Sequence, residues 1–444
     1  MTIGFVGLSH LGIVSSACAA AKGFDVVAYD PDAPRCEALS RGLLPISEPG
    51  LPELLKTAGP HLQFTSAPTR LRDCAVIVVS ADVPTDERSR SDLTVIHALI
   101  DTVLAHTAPD ATVVISSQVP PGFTRGLAKS FQEKGRSAQS LYYQVETLVF
   151  GQAVERGLHP ERIIIGCARP KEPLPSAYAA WLASVACPLL PMRYESAELT
   201  KIAINMFLVS SVSTTNTLSE MCEAIGADWS EIAPALAMDR RIGPHAYLKP
   251  GLGLAGGNLE RDLATVKALA DAYGAEVGVV DAWRSHSAHR RDWALSVLHA
   301  HALSRCRDPR IAVWGLAYKA HTDSTNRSPA LALLEALRMF EVRAYDPRAT
   351  LNGARQASER LTQVASAMEA CQGADALVIM TPWPEFAQVD LREVRATMKG
   401  RVIVDPFGVL EDHACATLGF AHARLGRALQ PQELPARSDT QATP

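Results

Sequence analysis

The chain has 444 residues, 47% of them hydrophobic and 20% charged, enough apolar material for more than one buried core. Its 43 Lys and Arg against 47 Asp and Glu leave a formal net charge of -4. That balance excludes broad electrostatic binding of nucleic acid, which needs concentrated positive charge.

No uninterrupted apolar run reaches the roughly 18 residues of a membrane span, so no membrane partner is expected. No basic segment precedes an apolar run at the start, so no signal peptide is expected either. The nine cysteines form no CxxC pair, which predicts reduced thiols in a cytoplasmic protein. There is also no zinc spacing of Cys and His and no HExxH.

The run Ile3-Gly4-Phe5-Val6-Gly7 reads as a first strand. A small-residue helix follows over residues 13–21, stopped by Gly23, and a second strand over 24–29 closes on Asp30. That is one βαβ unit in about 30 residues. Further strand-like runs at 75–80, 112–116 and 162–166 alternate with helical segments, predicting a parallel sheet covered on both faces.

From 196 to 304 the texture changes. Residues 198–224 and 263–303 are Pro-free and helix-periodic, and they flank a glycine-rich loop at 251–257. The alternation then returns, with strands at 310–316, 342–345, 376–380 and 401–404 and a helix at 329–341. Val342-Arg343-Ala344-Tyr345-Asp346-Pro347 echoes Val26-Val27-Ala28-Tyr29-Asp30-Pro31. The expected architecture is α/β: two doubly wound, Rossmann-like domains (1–195 and 305–430) joined by a helical central region (196–304). A tail at 431–444, without periodicity, is expected to be mobile.

Gly7-Leu8-Ser9-His10-Leu11-Gly12 occupies the first strand-to-helix turn, with Asp30 18 residues beyond Gly12. Such a turn brings backbone N–H groups and a helix N-terminus to a pyrophosphate. The acid accepts ribose hydroxyls and repels the extra phosphate of NADP, so the expected cofactor is NAD. Ser9 stands at the second glycine of the pattern; it is small, and its hydroxyl is itself a donor. His10 is weighed equally as a cofactor contact and as an exposed side chain. Arg35, Thr85 and Gln118 complete the cofactor candidates.

With the fingerprint in place, the sequence resembles the UDP-glucose/GDP-mannose dehydrogenase family over about residues 1–415. Matching pieces follow in order: Ile46-Ser47-Glu48-Pro49-Gly50-Leu51, then Val119-Pro120-Pro121-Gly122, then His159-Pro160-Glu161-Arg162-Ile163-Ile164-Ile165-Gly166. Next come Ala197-Glu198-Leu199-Thr200-Lys201 with Asn205, then Arg241-Ile242-Gly243-Pro244, and last Gly315-Leu316-Ala317-Tyr318-Lys319 with Thr322-Asp323. The resemblance implies two Rossmann-like domains about a helical dimerisation centre, hence a homodimer. It also implies oxidation of the C6 alcohol of a nucleotide sugar to a carboxylate by two NAD, through a cysteine that captures the aldehyde as it forms.

The chain departs from that pattern where the chemistry is. The loop reads Gly253-Leu254-Ala255-Gly256-Gly257-Asn258-Leu259-Glu260-Arg261-Asp262, with Asn258 in the nucleophile's place. A carboxamide nitrogen is delocalised and is no nucleophile near neutral pH. Cys222, the nearest thiol in sequence, is 36 residues away. Other departures are Ser117-Gln118-Val119-Pro120, Phe150 in place of a second acid after Glu146, and an arginine displaced to Arg327.

Lys201, Asn205, Glu146 and Asp262 remain. Lys201 and Asn205 lie four apart on one helical face, where an ammonium and an amide would stabilise an alkoxide. Lys201 would take the alcohol proton if burial lowers its pKa, or Asp262 or Glu146 would act as base through water. Catalytic candidates are therefore Lys201, Asn205, Asp262, Glu146 and Asn258. Substrate candidates are Glu146, Lys201, Asn205, Arg241, Gly253, Gly256, Gly257 and Lys319. His286, His289, Arg290 and Arg291 read as a solvated or dimer-facing stripe. Three functions fit these residues: an NAD-dependent nucleotide-sugar oxidoreductase without covalent catalysis, a redox-neutral epimerase retaining NAD, and a non-catalytic nucleotide-binding relative.

Overall fold

A computed structural model of the chain describes residues 1–86, 90–135, 140–255, 257–351 and 360–429. The predicted tail and Gly256 lie outside these residues. The chain forms two compact units, Met1–Ile204 and Asn205 onward.

The first unit is built on an eight-stranded sheet. Its strands are β1 Thr2–Val6, β2 Asp25–Tyr29, β3 Leu62–Thr65, β4 Val76–Val79, β5 Thr112–Ile115, β6 Leu141–Gln144, β7 Ile163–Cys167 and β8 Leu189–Arg193. They lie in the order β3-β2-β1-β4-β5-β6-β7-β8, every neighbouring pair parallel except β6 and β7. β1 is central and buried on both faces, so it reads as a continuous apolar run. Ile3 and Phe5 pack on one side with Val26, Val78 and Trp181; Val6 packs on the other with Tyr29, Ile77 and Val79. Each such side chain contributes about 1.5–3 kcal/mol on burial.

The helix His10–Ala21 after β1 buries nearly its whole surface through Ile13, Val14, Ala17, Ala19 and Ala20, which explains its run of small residues. β3, β6 and β8 were not expected. β6 is four residues long, and β8 carries Pro191 at a sheet edge, where a missing N–H costs no ladder bond.

The second unit holds a six-stranded sheet in the order β11-β10-β9-β12-β13-β14, all of whose pairs are parallel. The strands are β9 Arg310–Trp314, β10 Glu341–Tyr345, β11 Leu361–Gln363, β12 Ala376–Ile379, β13 Val402–Val404 and β14 Ala421–Ala423. The sequence echo is an echo of structure. Gly7 has φ 93 and donates its N–H to Tyr29 O at 2.9 Å, while Gly315 has φ 95 and donates to Tyr345 O at 2.7 Å.

The helix expected as one stretch over 263–303 is instead three, Asn258–Tyr273, Gly278–Arg291 and Trp293–Leu298, followed by a π turn at His299–Leu303. Gly274 makes the first break: at φ 71 it caps the preceding helix, donating to Ala270 O, a left-handed cap that glycine takes without strain. The helix expected over 329–341 stops at Ala336, because Glu341 already begins β10.

The predicted basic stripe is not solvated as a whole. Arg290 is 1% exposed and pairs with Glu223 at 2.9 Å and Glu220 at 3.4 Å. His289 meets Glu220 at 2.6 Å. Glu223 also accepts from the Gly426 N–H at 3.0 Å, and Trp229 N donates to Gly426 O at 2.9 Å, so the middle helices and the C-terminal sheet share one body.

On β14, buried His422 lies between Asp412 (2.8 Å) and Asp405 (3.3 Å). Burial alone would lower its pKa, but hydrogen bonds to the two carboxylates raise it from 6.5 to about 11. A raised folded-state pKa gives stability that is complete below the unfolded value and is lost as pH rises through the folded one. His422→Gln should therefore lower the thermal midpoint clearly at pH 6 and progressively less towards pH 11, measured by calorimetry on variant and parent.

Candidate active site

The turn after β1 closes on itself. A Cβ on Gly12 would lie 1.8 Å from Gly7 O, and one on Gly7 would lie 2.7 Å from the Ala81 Cβ, so both glycines are demanded by close approach. The helix His10–Ala21 has no acidic residue in its first turn, leaving its N-terminal N–H groups and dipole open to an anion. Asp30, 4% exposed, accepts from Leu8 N at 2.7 Å, Asp32 N at 3.0 Å and Arg35 Nη1 at 3.1 Å. A carboxylate has about four acceptor sites, so one remains for a ribose hydroxyl.

Ser9 turns its hydroxyl to the Asp82 N–H at 2.8 Å. Leu11 is buried. Thr85 forms an isolated bridge with Ser91, and Gln118 is half-buried just after β5. His10 is neither exposed nor free: its Nε2 lies 2.9 Å from Glu48 Oε2, and its ring stacks on Phe150 at 4.0 Å. Glu48 also accepts from Gly151 N at 3.0 Å and Ala153 N at 2.9 Å. The imidazole thus ties the turn to the segment after Glu146.

Lys201 and Asn205 are one turn apart on the helix Tyr194–Ile225, and each has found its own acid. Lys201 Nζ donates to Glu146 O at 2.9 Å and Glu146 Oε2 at 3.1 Å. Glu146 Oε1 is buried with no hydrogen-bond partner among the described residues. In the second unit, Asn205 Nδ2 donates to Asp262 Oδ2 at 2.5 Å, and the carboxylate is 1% exposed. Arg261 lies 3.7 Å from the other oxygen of Asp262.

Asn258 is exposed at the first position of its helix, after Gly257 with φ 89. The displaced Arg327 pairs with Glu260 at 3.0 Å. Lys319 lies over the Tyr318 ring at 5.6 Å. Arg241 is not gathered in: its side chain is 88% exposed and pairs with Asp239 at 2.7 Å.

The three models of one family match this chain in order. The NAD binding domain of the UDP-glucose/GDP-mannose dehydrogenase family covers residues 1–182, its central domain 195–288 and its UDP binding domain 312–412. The chain is 31% identical to the UDP-glucose 6-dehydrogenase of Pseudomonas aeruginosa, over 96% of this chain and 98% of that protein. The chain belongs to this family. Among solved structures it resembles a UDP-D-ManNAc dehydrogenase from Pyrococcus horikoshii, with TM-score 0.83 and 25% identity over 97% of this chain and 100% of the other. It also resembles a UDP-glucose dehydrogenase from Pyrobaculum islandicum, with TM-score 0.81 and 27% identity over 93% and 95%.

This family member is an NAD-dependent oxidoreductase, and the cradle of Gly7, Gly12 and Asp30 fits that cofactor. The corresponding turn of the second unit is sealed. Asp346 accepts from Leu316 N, Ala317 N, Arg348 N, Ala349 N and the Trp383 indole, at 2.6 to 3.1 Å, leaving no acceptor for a ribose.

Burial pushes Cys18, Cys74 and Cys371 up to about 12 and raises Cys36, Cys167, Cys187, Cys222 and Cys306 as well.

Sequence reasoning missed the roles of Glu48, Phe150, Asn216 and Ser287. Glu48 lies inside a family motif and Phe150 marks a departure from one, but neither signals its contact with His10; Asn216 and Ser287 carry no local pattern. Gly12→Ala should abolish NAD binding in calorimetric titration and destabilise the protein by about 3 kcal/mol, because the new methyl has backbone and not a movable side chain to push against.

Proposed function

We propose that this enzyme oxidises a UDP-sugar by a single hydride transfer and releases a carbonyl product without covalent capture. The observation that carries the reading is Asn258, an exposed carboxamide where the family resemblance places the nucleophile, in a chain where burial raises eight of the thiols.

NAD, when bound at the Gly7–Gly12 turn, supplies the hydride acceptor. An ammonium has three donors; two of those on Lys201 go to Glu146, and the third is available to the reacting oxygen. Asn205, one turn on, is oriented by Asp262 to donate its second N–H. The Lys201 ammonium stabilises the alkoxide as its charge develops. Asp262 is engaged by that amide, so the proton acceptor is Glu146 through its unpartnered Oε1, directly or through one water. The C–H bond leaves with its electron pair, the O–H proton passes to Glu146, and a C=O bond forms.

We place the nucleotide end in a cavity of the second unit, 480 Å³ in volume and lined by Trp229, Pro234, Lys249, Phe407 and Arg424. Aromatic walls suit a base and Lys249 suits a phosphate, while Arg424 is held by Asp412 at 2.6 Å. We also propose a homodimer. The helix Tyr194–Ile225 exposes Phe207 (80%), Met221 (52%) and Ile225 (77%), apolar surface that a second copy would cover. Nine free thiols accord with the cytoplasm.

With purified protein, NAD and a panel of UDP-sugars, one NADH per sugar and a product two mass units lighter are expected, by absorbance and mass spectrometry. Two NADH with a carboxylate product would overturn single-step oxidation; unchanged mass without NADH would make the enzyme an epimerase. Glu146→Gln should lower kcat by about 10²–10⁴-fold with NAD affinity kept. Light scattering should show a dimer that Phe207→Glu with Ile225→Glu converts to monomer; a monomeric parent would refute the assembly.

A further inference from the structure

Residues 247–255 have no regular structure, and the sequence carries glycine at 251, 253, 256 and 257. So many glycines impose almost no steric limit on shape, yet the loop leads directly to Asn258. Its conformation is imposed by side chains from three helices. Thr215 Oγ1 and Ser211 Oγ donate to Tyr247 O at 2.8 and 3.2 Å, and Trp229 Nε1 donates to Leu248 O at 2.7 Å. Gly251 N donates to Asn216 Oδ1 at 2.8 Å, and Leu254 N to Ser287 Oγ at 2.8 Å.

We infer that Asn216 and Ser287 are positioning residues that fix the glycine-rich loop in its ligand-ready shape. Asn216 is 1% exposed, so its amide is committed inside the fold. At Gly253, φ is 75 and a Cβ would fall 2.4 Å from Ser287 O; the loop lies directly against the helix Gly278–Arg291, with no room for a side chain between them. Leu252 and Leu254, 3% and 6% exposed, anchor the loop on either side of that contact. Asn216 lies on the helix that also carries Asn205, eleven residues further along. At about 1.5 Å per residue, one rigid element sets both the amide and the loop. Pre-forming a flexible loop in this way raises affinity by removing an ordering cost from binding.

The inference rests on the reading that this loop contacts the UDP-sugar. Its test compares the full-length parent with Asn216→Ala, Ser287→Ala and Ser287→Thr, titrated calorimetrically with UDP and separately with NAD. The two alanine variants should bind UDP about tenfold more weakly or worse, with NAD affinity within twofold of the parent, and the threonine variant, which keeps the hydroxyl, should return towards the parent. Unchanged UDP affinity in both alanine variants would overturn the inference, and so would a parallel loss for NAD, which marks general damage.

If the parent itself binds no UDP, the substrate reading fails, and amide hydrogen exchange decides the clamp separately. Faster exchange at Gly251 in Asn216→Ala and at Leu254 in Ser287→Ala supports it; protection equal to the parent refutes it.

Discussion

A buried carboxylate at the end of the second strand, reaching back to the turn after the first, organises both halves of this protein. Asp30 holds Leu8 N and Asp346 holds Leu316 N, each closing a turn whose glycine has φ near +90. Without that bond the turn has no fixed opening, and the following helix has no fixed position over the sheet. The partners around each acid then decide what the turn is for. Asp30 keeps acceptor capacity; Asp346 gives all of its own to four backbone N–H groups and an indole.

The same economy is visible along the helix Tyr194–Ile225. Glu198 caps Gly122 and Thr124, Lys201 binds Glu146, Asn205 binds Asp262, Asn216 holds the glycine-rich loop and Glu223 binds Arg290. A helix of 32 residues is a ruler, and successive turns assign each acid or amide a separate duty.

The two sheets were legible in the sequence because β1, β4, β9 and β12 are fully buried and write themselves as apolar runs, and because Asp30 and Asp346 recur in the same local phrase. β8 escaped notice because half-exposed edge positions and a proline dilute the pattern. The break at Gly274 was overlooked because the residues on both sides keep helical periodicity. Lys201, Asn205 and Asp262 were singled out by motif position. Glu48 and Ser287 act through bonds to backbone atoms far along the chain, and such bonds leave no spacing to read. His10 shows a third cause: its neighbours in sequence form the phosphate turn, while its partner Glu48 is 38 residues away.

The sealing of the Asp346 turn has a kinetic meaning. Only one of the two related turns keeps a carboxylate acceptor for a ribose hydroxyl, so Asp30 and not Asp346 is equipped to hold a dinucleotide. An enzyme that removes four electrons from one alcohol must exchange its spent cofactor midway, while the reactive aldehyde waits. A thiol would hold that aldehyde by a covalent bond through the wait, and position 258 offers only an amide. A reaction that finishes within a single cofactor visit has no such interval to survive.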